Sequence, residues 1–445
     1  MNKVLSELSL ETYHTRLTSM MSDHAVCYPG DSFRRQPVHT VYGGAHLFKS
    51  DTGTRLGRIA AHLLEIYAPD ASIFSDVFGI DRSNAALVYD RVTEKLDREA
   101  VEDFRIDFED GYGTRSDSEE DGHAVSSAAE MAKGMAAGTL PPFCGIRVKA
   151  LSAESHVRSI RTLDLFLTAI IERSNGQLPN NFVVTLPKIV SPGQVSLLAD
   201  IFDEMELKLG IPGGSLKMEL MIETPQSILG RRGEVVLPLL LDAARGRCSA
   251  AHFGAYDYMA SCGITAASQD ILHPACDFAR NMMQVSFGGT GVFLSDGATN
   301  VLPIAPHRGD ALTLEQLAEN NSVIQRAWKL HFDHCRQSLS DGFYQGWDLH
   351  PGQIVSRYVA VFSFFIEHLD ASAERLKNFV QMAAKATLVG DVFDDAATGQ
   401  GLLNFFRRAI NCGAVTESET IIRTGLSLEE LRSDSFSELL GKRGR

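Results

Sequence analysis

Apolar runs short enough to be strands alternate, along most of this chain, with longer stretches whose apolar positions recur at helical spacing. The clearest run is 218–224, Met-Glu-Leu-Met-Ile-Glu-Thr, preceded by Gly213-Gly214 and stopped by Pro225. Comparable runs occupy 37–47, 104–109, 143–149, 182–188, 248–253, 291–294 and 343–349. Between them the pattern predicts helices at 52–67, 87–95, 124–137, 154–172, 194–209, 233–244, 274–286 and 314–339. Near-continuous apolar strands separated by helices are the signature of a parallel sheet covered on its outer face. Eight such alternations predict an α/β fold, a (β/α)8 TIM barrel over residues 37–356.

The flanks read differently. Residues 1–36 are polar, with a short helix expected over 7–21. From 357 to 445 helical periodicity takes over, with helices expected at 357–368, 372–389, 401–410 and 417–424. Ser427-Leu-Glu-Glu430 then forms a capping box that opens a last helix. This C-terminal α-helical appendage has the makings of a lid or of a contact between subunits.

Chemistry enters at the strand ends, because the carboxyl ends of barrel strands are where this fold places its reacting groups. Taken in order, the tips offer Glu109 and Asp110, then Arg147, Lys188, Glu223, Asp257 and finally His350. Taken singly, an acidic residue after a strand is most simply a helix cap or a solvated loop residue. Taken together, Glu223 and Asp257 end neighbouring strands and suit a magnesium or manganese ion that keeps water and substrate oxygens as its other ligands. Arg147 would then lay its planar fork of donors on a substrate carboxylate or carbonyl oxygen. Lys188 either meets the substrate's charge or caps a helix end, and His350 either touches ligand or positions the last loop.

Composition narrows the field. A formal net charge of -14 argues against a nucleic-acid partner, which needs a basic surface. The seven cysteines show no CxxC spacing, as expected of small core residues in a reducing compartment. No apolar run has the length of a secretory leader or a membrane span, so a cytoplasmic protein is expected.

Six segments, in this order and spacing, resemble the HpcH/HpaI aldolase and citrate lyase beta-subunit family: Asp107-Phe-Glu-Asp-Gly111, Arg147-Val-Lys, Leu186-Pro-Lys-Ile-Val-Ser-Pro192, Ile222-Glu-Thr-Pro, Phe253-Gly-Ala-Tyr-Asp257 and Gly346-Trp-Asp-Leu-His-Pro351. The closing His-Pro-Gly-Gln is more similar to the citrate-lyase-beta-like branch than to the HpaI aldolases. The resemblance implies a magnesium-dependent lyase or aldolase that stabilises an enolate. It implies Glu223 and Asp257 as metal ligands, Arg147 as the substrate-binding arginine, and Glu109 and Asp110 as groups holding the arginine or the ion's waters. Gly390-Asp-Val-Phe-Asp394 is similar to a late family segment whose aspartate acts as general base from a lid, often a neighbouring subunit's; a helix cap is the plain alternative for Asp394-Asp395. The implied substrates are a 2-oxoacid, a hydroxyacid or an acyl thioester of coenzyme A, and the implied assembly is a homo-oligomer.

Two segments depart from the pattern. Tyr256 stands where the family carries a carboxylate beside the second metal ligand, and Tyr42-Gly-Gly-Ala-His stands where the branch has a Val-Pro-Gly type loop. These changes bear on coenzyme A and the citryl substrate and leave the metal-enolate core intact. The competing readings are an HpaI-like aldolase that releases pyruvate without coenzyme A and a non-catalytic ligand-binding barrel.

Overall fold

A computed structural model describes residues 4–30, 33–309, 311–381, 387–389, 392–394, 396–433, 436 and 439, with the backbone alone described at 387–389, 392–394 and 396–397. The chain opens with α1 (Glu7–Cys27), none of whose side chains is buried. The barrel begins with β1 (His39–Gly44), followed by α2 (Thr52–Tyr67), α3 (Ala71–Phe78) and α4 (Arg82–Glu99). Next come β2 (Asp103–Asp107), α5 (Asp117–Ala137), β3 (Phe143–Arg147), α6 (His156–Arg173), β4 (Phe182–Leu186) and α7 (Pro192–Leu209). The second half holds β5 (Lys217–Ile222), α8 (Pro225–Ile228), α9 (Leu237–Ala243), β6 (Cys248–Phe253), α10 (Ala255–Ser261) and α11 (Pro274–Phe287). It ends with β7 (Phe293–Ala298), α12 (Leu314–Ser340), β8 (Gln345–Asp348) and α13 (Pro351–Gln381). Beyond these lie β9 (Thr387–Val389), β10 (Val392–Asp394), α14 (Ala396–Asn411), α15 (Glu417–Thr424) and α16 (Leu428–Leu431).

Strands β1 to β8 pair in sequence order, all parallel, and β8 returns to β1, so the sheet closes as a (β/α)8 barrel with additional C-terminal helices. Alternation along each strand sorts side chains between two environments. In β2, Phe104 and Ile106 join the apolar layer, whereas Asp103, Arg105 and Asp107 join polar networks with side chains of other strands. The inner network is buried and cross-linked: Arg105 Nε donates to Glu219 at 2.9 Å, and the Thr185 hydroxyl donates to the same carboxylate at 2.7 Å. Trp347 Nε1 donates to His252 Nδ1 at 3.2 Å, which leaves the ring proton on Nε2, 3.3 Å from Glu219.

Three expectations are corrected here. The seventh strand runs over Phe293–Ala298, beyond the expected 291–294. Within the added residues, Asp296 is buried and paired with Arg280 at 3.1 Å and the Ser338 hydroxyl at 2.6 Å. The boundary at 356/357 falls inside α13, which is one continuous helix against α2, α4 and α12 and supplies the barrel's last covering helix. The helix expected over 372–389 therefore ends at Gln381, and residues 387–389 form β9, antiparallel to β10.

Candidate active site at the carboxyl ends of the strands

Asp107 ends β2 beside Arg147, which ends β3, and the two pair across the sheet. Asp107 is fully buried and accepts from Arg147 Nε at 2.8 Å and Nη2 at 2.6 Å, a bidentate fork. It also accepts the backbone N–H groups of Glu109 at 3.0 Å and Gly111 at 2.7 Å, so the acidic turn is wrapped around its carboxylate. Only glycine fits at 111, because a Cβ there would stand 2.6 Å from Asp107 Oδ2. The guanidinium of Arg147 lies 4.8 Å from the centre of the Tyr42 ring and 6.0 Å from that of Trp347. With Nε and Nη2 held by Asp107, Nη1 faces Glu109 at 3.3 Å.

Glu109, Asp110, Glu223 and Asp257 meet at Lys188. Its Nζ lies 2.7 Å from Glu109, 3.1 Å from Asp110 and 3.6 Å from Asp257, and its backbone N–H donates to Glu223 at 2.5 Å. Its φ of 51° is left-handed, a conformation that is unusual for a lysine. Burial works against the ammonium charge, but Glu223 and Glu109 outweigh it and hold the pKa above the ordinary lysine range. Glu223 is 1% exposed; burial, reinforced by Asp257 and Glu109 and opposed by Lys188, pushes its carboxyl up to about 8. Glu109 is likewise raised, chiefly by burial. The more exposed Asp110 is lowered: burial opposes its charge, and hydrogen bonding with Glu109 and the charges of Arg147 and Lys188 prevail.

None of these groups is spent on capping. The N-cap of α7 is Ser191, that of α8 is Thr224 and that of α10 is Gly254, which leaves Lys188, Glu223 and Asp257 to one another. Gly254 is also required by shape, since a Cβ there would lie 2.5 Å from Glu223 Cβ and 2.6 Å from its Oε2.

The donor set suits a divalent cation. Glu223 and Asp257 offer hard carboxylate oxygens, and the buried Glu223 lies in the field of a second carboxylate. Among the described residues no group of three or more His, Cys, Asp or Glu side chains is placed to hold a metal ion. An open groove of about 990 Å³ runs from Glu109, Asp110 and Lys188 past Lys149, Ser152 and Arg158.

Two sequence candidates stand apart from this cluster. His350 Nδ1 accepts the Gly352 N–H at 3.1 Å, at the entry to α13. In the same motif the Gln353 side chain accepts from the Leu349 N–H at 2.7 Å and donates to the Thr299 carbonyl at 2.8 Å, which gives His-Pro-Gly-Gln a structural purpose. Asp394 ends β10; its side chain and Asp395 lie outside the described residues. The phenol of Tyr256, in the first turn of α10, accepts the Asn300 N–H at 3.1 Å and ties that turn to the loop after β7.

Position along the chain assigns no site role to Asp107, Tyr42 or Trp347. The available signals were the polar alternation Asp103, Arg105, Asp107 and the glycine four residues beyond Asp107.

The fold and these strand-tip groups define a (β/α)8 barrel with its polar cluster at the catalytic mouth of that fold. The chain belongs to the family described as "Domain of unknown function (DUF6986)", whose model matches residues 17–439 and so spans barrel and C-terminal helices alike. No curated protein matches it. Among solved structures it is similar to a citrate lyase from Burkholderia xenovorans LB400, at 15% identity and TM-score 0.55, over 88% of this chain and 97% of that one. It is also similar to the protein CitE from Mycobacterium tuberculosis in complex with magnesium, acetoacetate and coenzyme A, at 15% identity and TM-score 0.47, over 85% and 99% of the two chains. Malate synthase from Haloferax volcanii in its magnesium and glyoxylate complex matches at 14% identity and TM-score 0.46, over 90% and 98%. At these identities the likeness is one of fold.

Proposed function

We propose that this protein is a divalent-metal-dependent carbon-carbon lyase of the citrate lyase beta-like type, making or breaking a bond next to a carbonyl. The observation that carries the reading is the meeting of Glu109, Asp110, Glu223 and Asp257 at one residue, Lys188, with the oriented fork of Arg147 beside them. In this reading Glu223 and Asp257 hold magnesium or manganese, which when bound supplies Lewis-acid polarisation of a carbonyl oxygen. Arg147, immobilised by Asp107, offers Nη1 to a substrate carboxylate or to the oxygen on which negative charge grows. Because that donor is set before substrate arrives, little reorganisation accompanies the reaction. Glu109 restrains Arg147 and Lys188 together. Asp394, at the end of β10, is the proposed proton acceptor.

The substrate in this reading is a 2-oxoacid, a hydroxyacid or an acyl thioester, such as one of coenzyme A, and the groove that carries Glu109, Asp110, Lys188, Lys149 and Arg158 opens beside the proposed site.

The test begins with the metal. Glu223→Ala and Asp257→Ala are each expected to abolish manganese binding in calorimetric titration while retaining the native far-ultraviolet circular dichroism. Both should also abolish turnover in a screen of pyruvate, oxaloacetate, glyoxylate and acetyl thioesters in which the parent chain is active. Undiminished manganese binding or activity in either variant removes this mechanism, and a non-catalytic ligand-binding barrel would then be the better description.

A further inference from the structure

Both residues assigned above to the metal are already engaged by Lys188: Glu223 accepts its backbone N–H at 2.5 Å, and Asp257 lies 3.6 Å from its ammonium. The same ammonium is within 3.1 Å of Glu109 and Asp110. A divalent cation held by Glu223 and Asp257 would therefore share their field with a positive charge a few ångströms away, an arrangement that like charges resist in a partly buried site. Lys188 also lines the open groove, so its four-carbon stem has somewhere to carry the ammonium. With a left-handed φ of 51°, Lys188 sets its backbone N–H on Glu223 and its side chain among the acids.

We propose that Lys188 is an exchangeable internal cation. It competes with the divalent ion for the strand-tip carboxylates and, when the ion enters, transfers its ammonium into the groove, where it pairs with an anionic group of the substrate. Ion and anionic substrate then bind in an ordered, mutually reinforcing way, because the arriving ion releases the lysine that the substrate needs. This inference rests on the metal reading of the preceding section and adds to it the coupling between the two ligands.

The experiment uses the full chain, manganese and oxalate, a dianion with the charge of an enolised 2-oxoacid. Lys188→Met and Lys188→Gly are titrated beside the parent protein; the glycine variant removes the ammonium while easing the backbone, so a folded variant is available even if methionine is poorly tolerated. Manganese is expected to bind both variants about tenfold or more tightly than the parent. Oxalate is expected to bind the manganese-loaded variants at least about tenfold more weakly than the manganese-loaded parent. Unchanged or weakened manganese binding in folded variants overturns the competition, since Lys188 would then be organising the acids. Unchanged oxalate binding overturns the transfer. If parent and variants all fail to bind manganese, the metal reading falls and this proposal with it; if all bind it equally, only this proposal falls.

Discussion

Asp107 shows how one buried carboxylate determines what its neighbours can do. It receives two bonds from Arg147 and two backbone N–H groups from the turn that carries Glu109 and Asp110, so the arginine's direction and the acidic turn's shape share one anchor. Arg147 is 5% exposed, and its other carboxylate partners are Glu109 at 3.3 Å and Asp110 at 3.8 Å. Removing the anchor would strand a guanidinium in a site that water scarcely reaches. Asp107→Ala is accordingly expected to lower unfolding free energy by about 3–5 kcal/mol in urea denaturation, the range for a buried pair that loses one partner. A loss under about 1 kcal/mol would mean that the two rings and Glu109 suffice to hold Arg147. At this scale Glu109, Asp110, Arg147, Lys188, Glu223 and Asp257 are legible in the sequence, since each is a charged residue where an apolar run stops. Asp107 is not, because it lies inside the run; Tyr42 and Trp347 are not, because an aromatic residue in a strand reads as core whichever face it takes.

At the scale of elements, the strands and the loops after them divide the work: strands set direction and loops set distance. The loop between β6 and α10 brings Gly254 against Glu223 so closely that a single methyl group has no room, with Cβ contacts of 2.5 and 2.6 Å. Gly254→Ala should therefore push the Glu223 carboxylate off its line while leaving every charged group in place. We expect at least about a tenfold loss of manganese affinity, together with the roughly 1–3 kcal/mol destabilisation typical of overpacking. Unaltered manganese affinity would separate Glu223 from the metal site. The strands of the central half are plain in the sequence because apolar residues on their outer face meet the helices. β7 is shifted because its buried middle, Ser295 and Asp296, is polar, and polar residues within a barrel strand mimic a turn when the pattern is read for apolar runs alone. The long α13 is obscured for a different reason: it serves first as a barrel helix and then as the platform on which α14 and α15 pack, so no composition change marks the handover.

At the scale of the molecule, the C-terminal helices are built onto the barrel. Phe365 of α13 meets Phe405 of α14 edge to face with ring centres 5.2 Å apart, and Leu403 and Phe406 are fully buried. α15 is fastened to α4 through the ion pair of Glu419 with Arg91 and to α13 through that of Arg423 with Asp370. Since α13 also packs on α2, α4 and α12, the apolar contacts run without interruption from the barrel into the terminal segment. Separate unfolding of that segment would expose the apolar face of a helix the barrel itself needs, so the two parts should melt together. Differential scanning calorimetry of the full chain is expected to give one transition whose calorimetric and van't Hoff enthalpies agree. A chain truncated after Gln381 should be markedly less stable or aggregate, because Phe365 and its neighbours would face water. Two resolved transitions in the full chain, or a truncated barrel with unchanged thermal midpoint, would make the terminal helices an independent unit and would restore the freedom that a mobile lid requires.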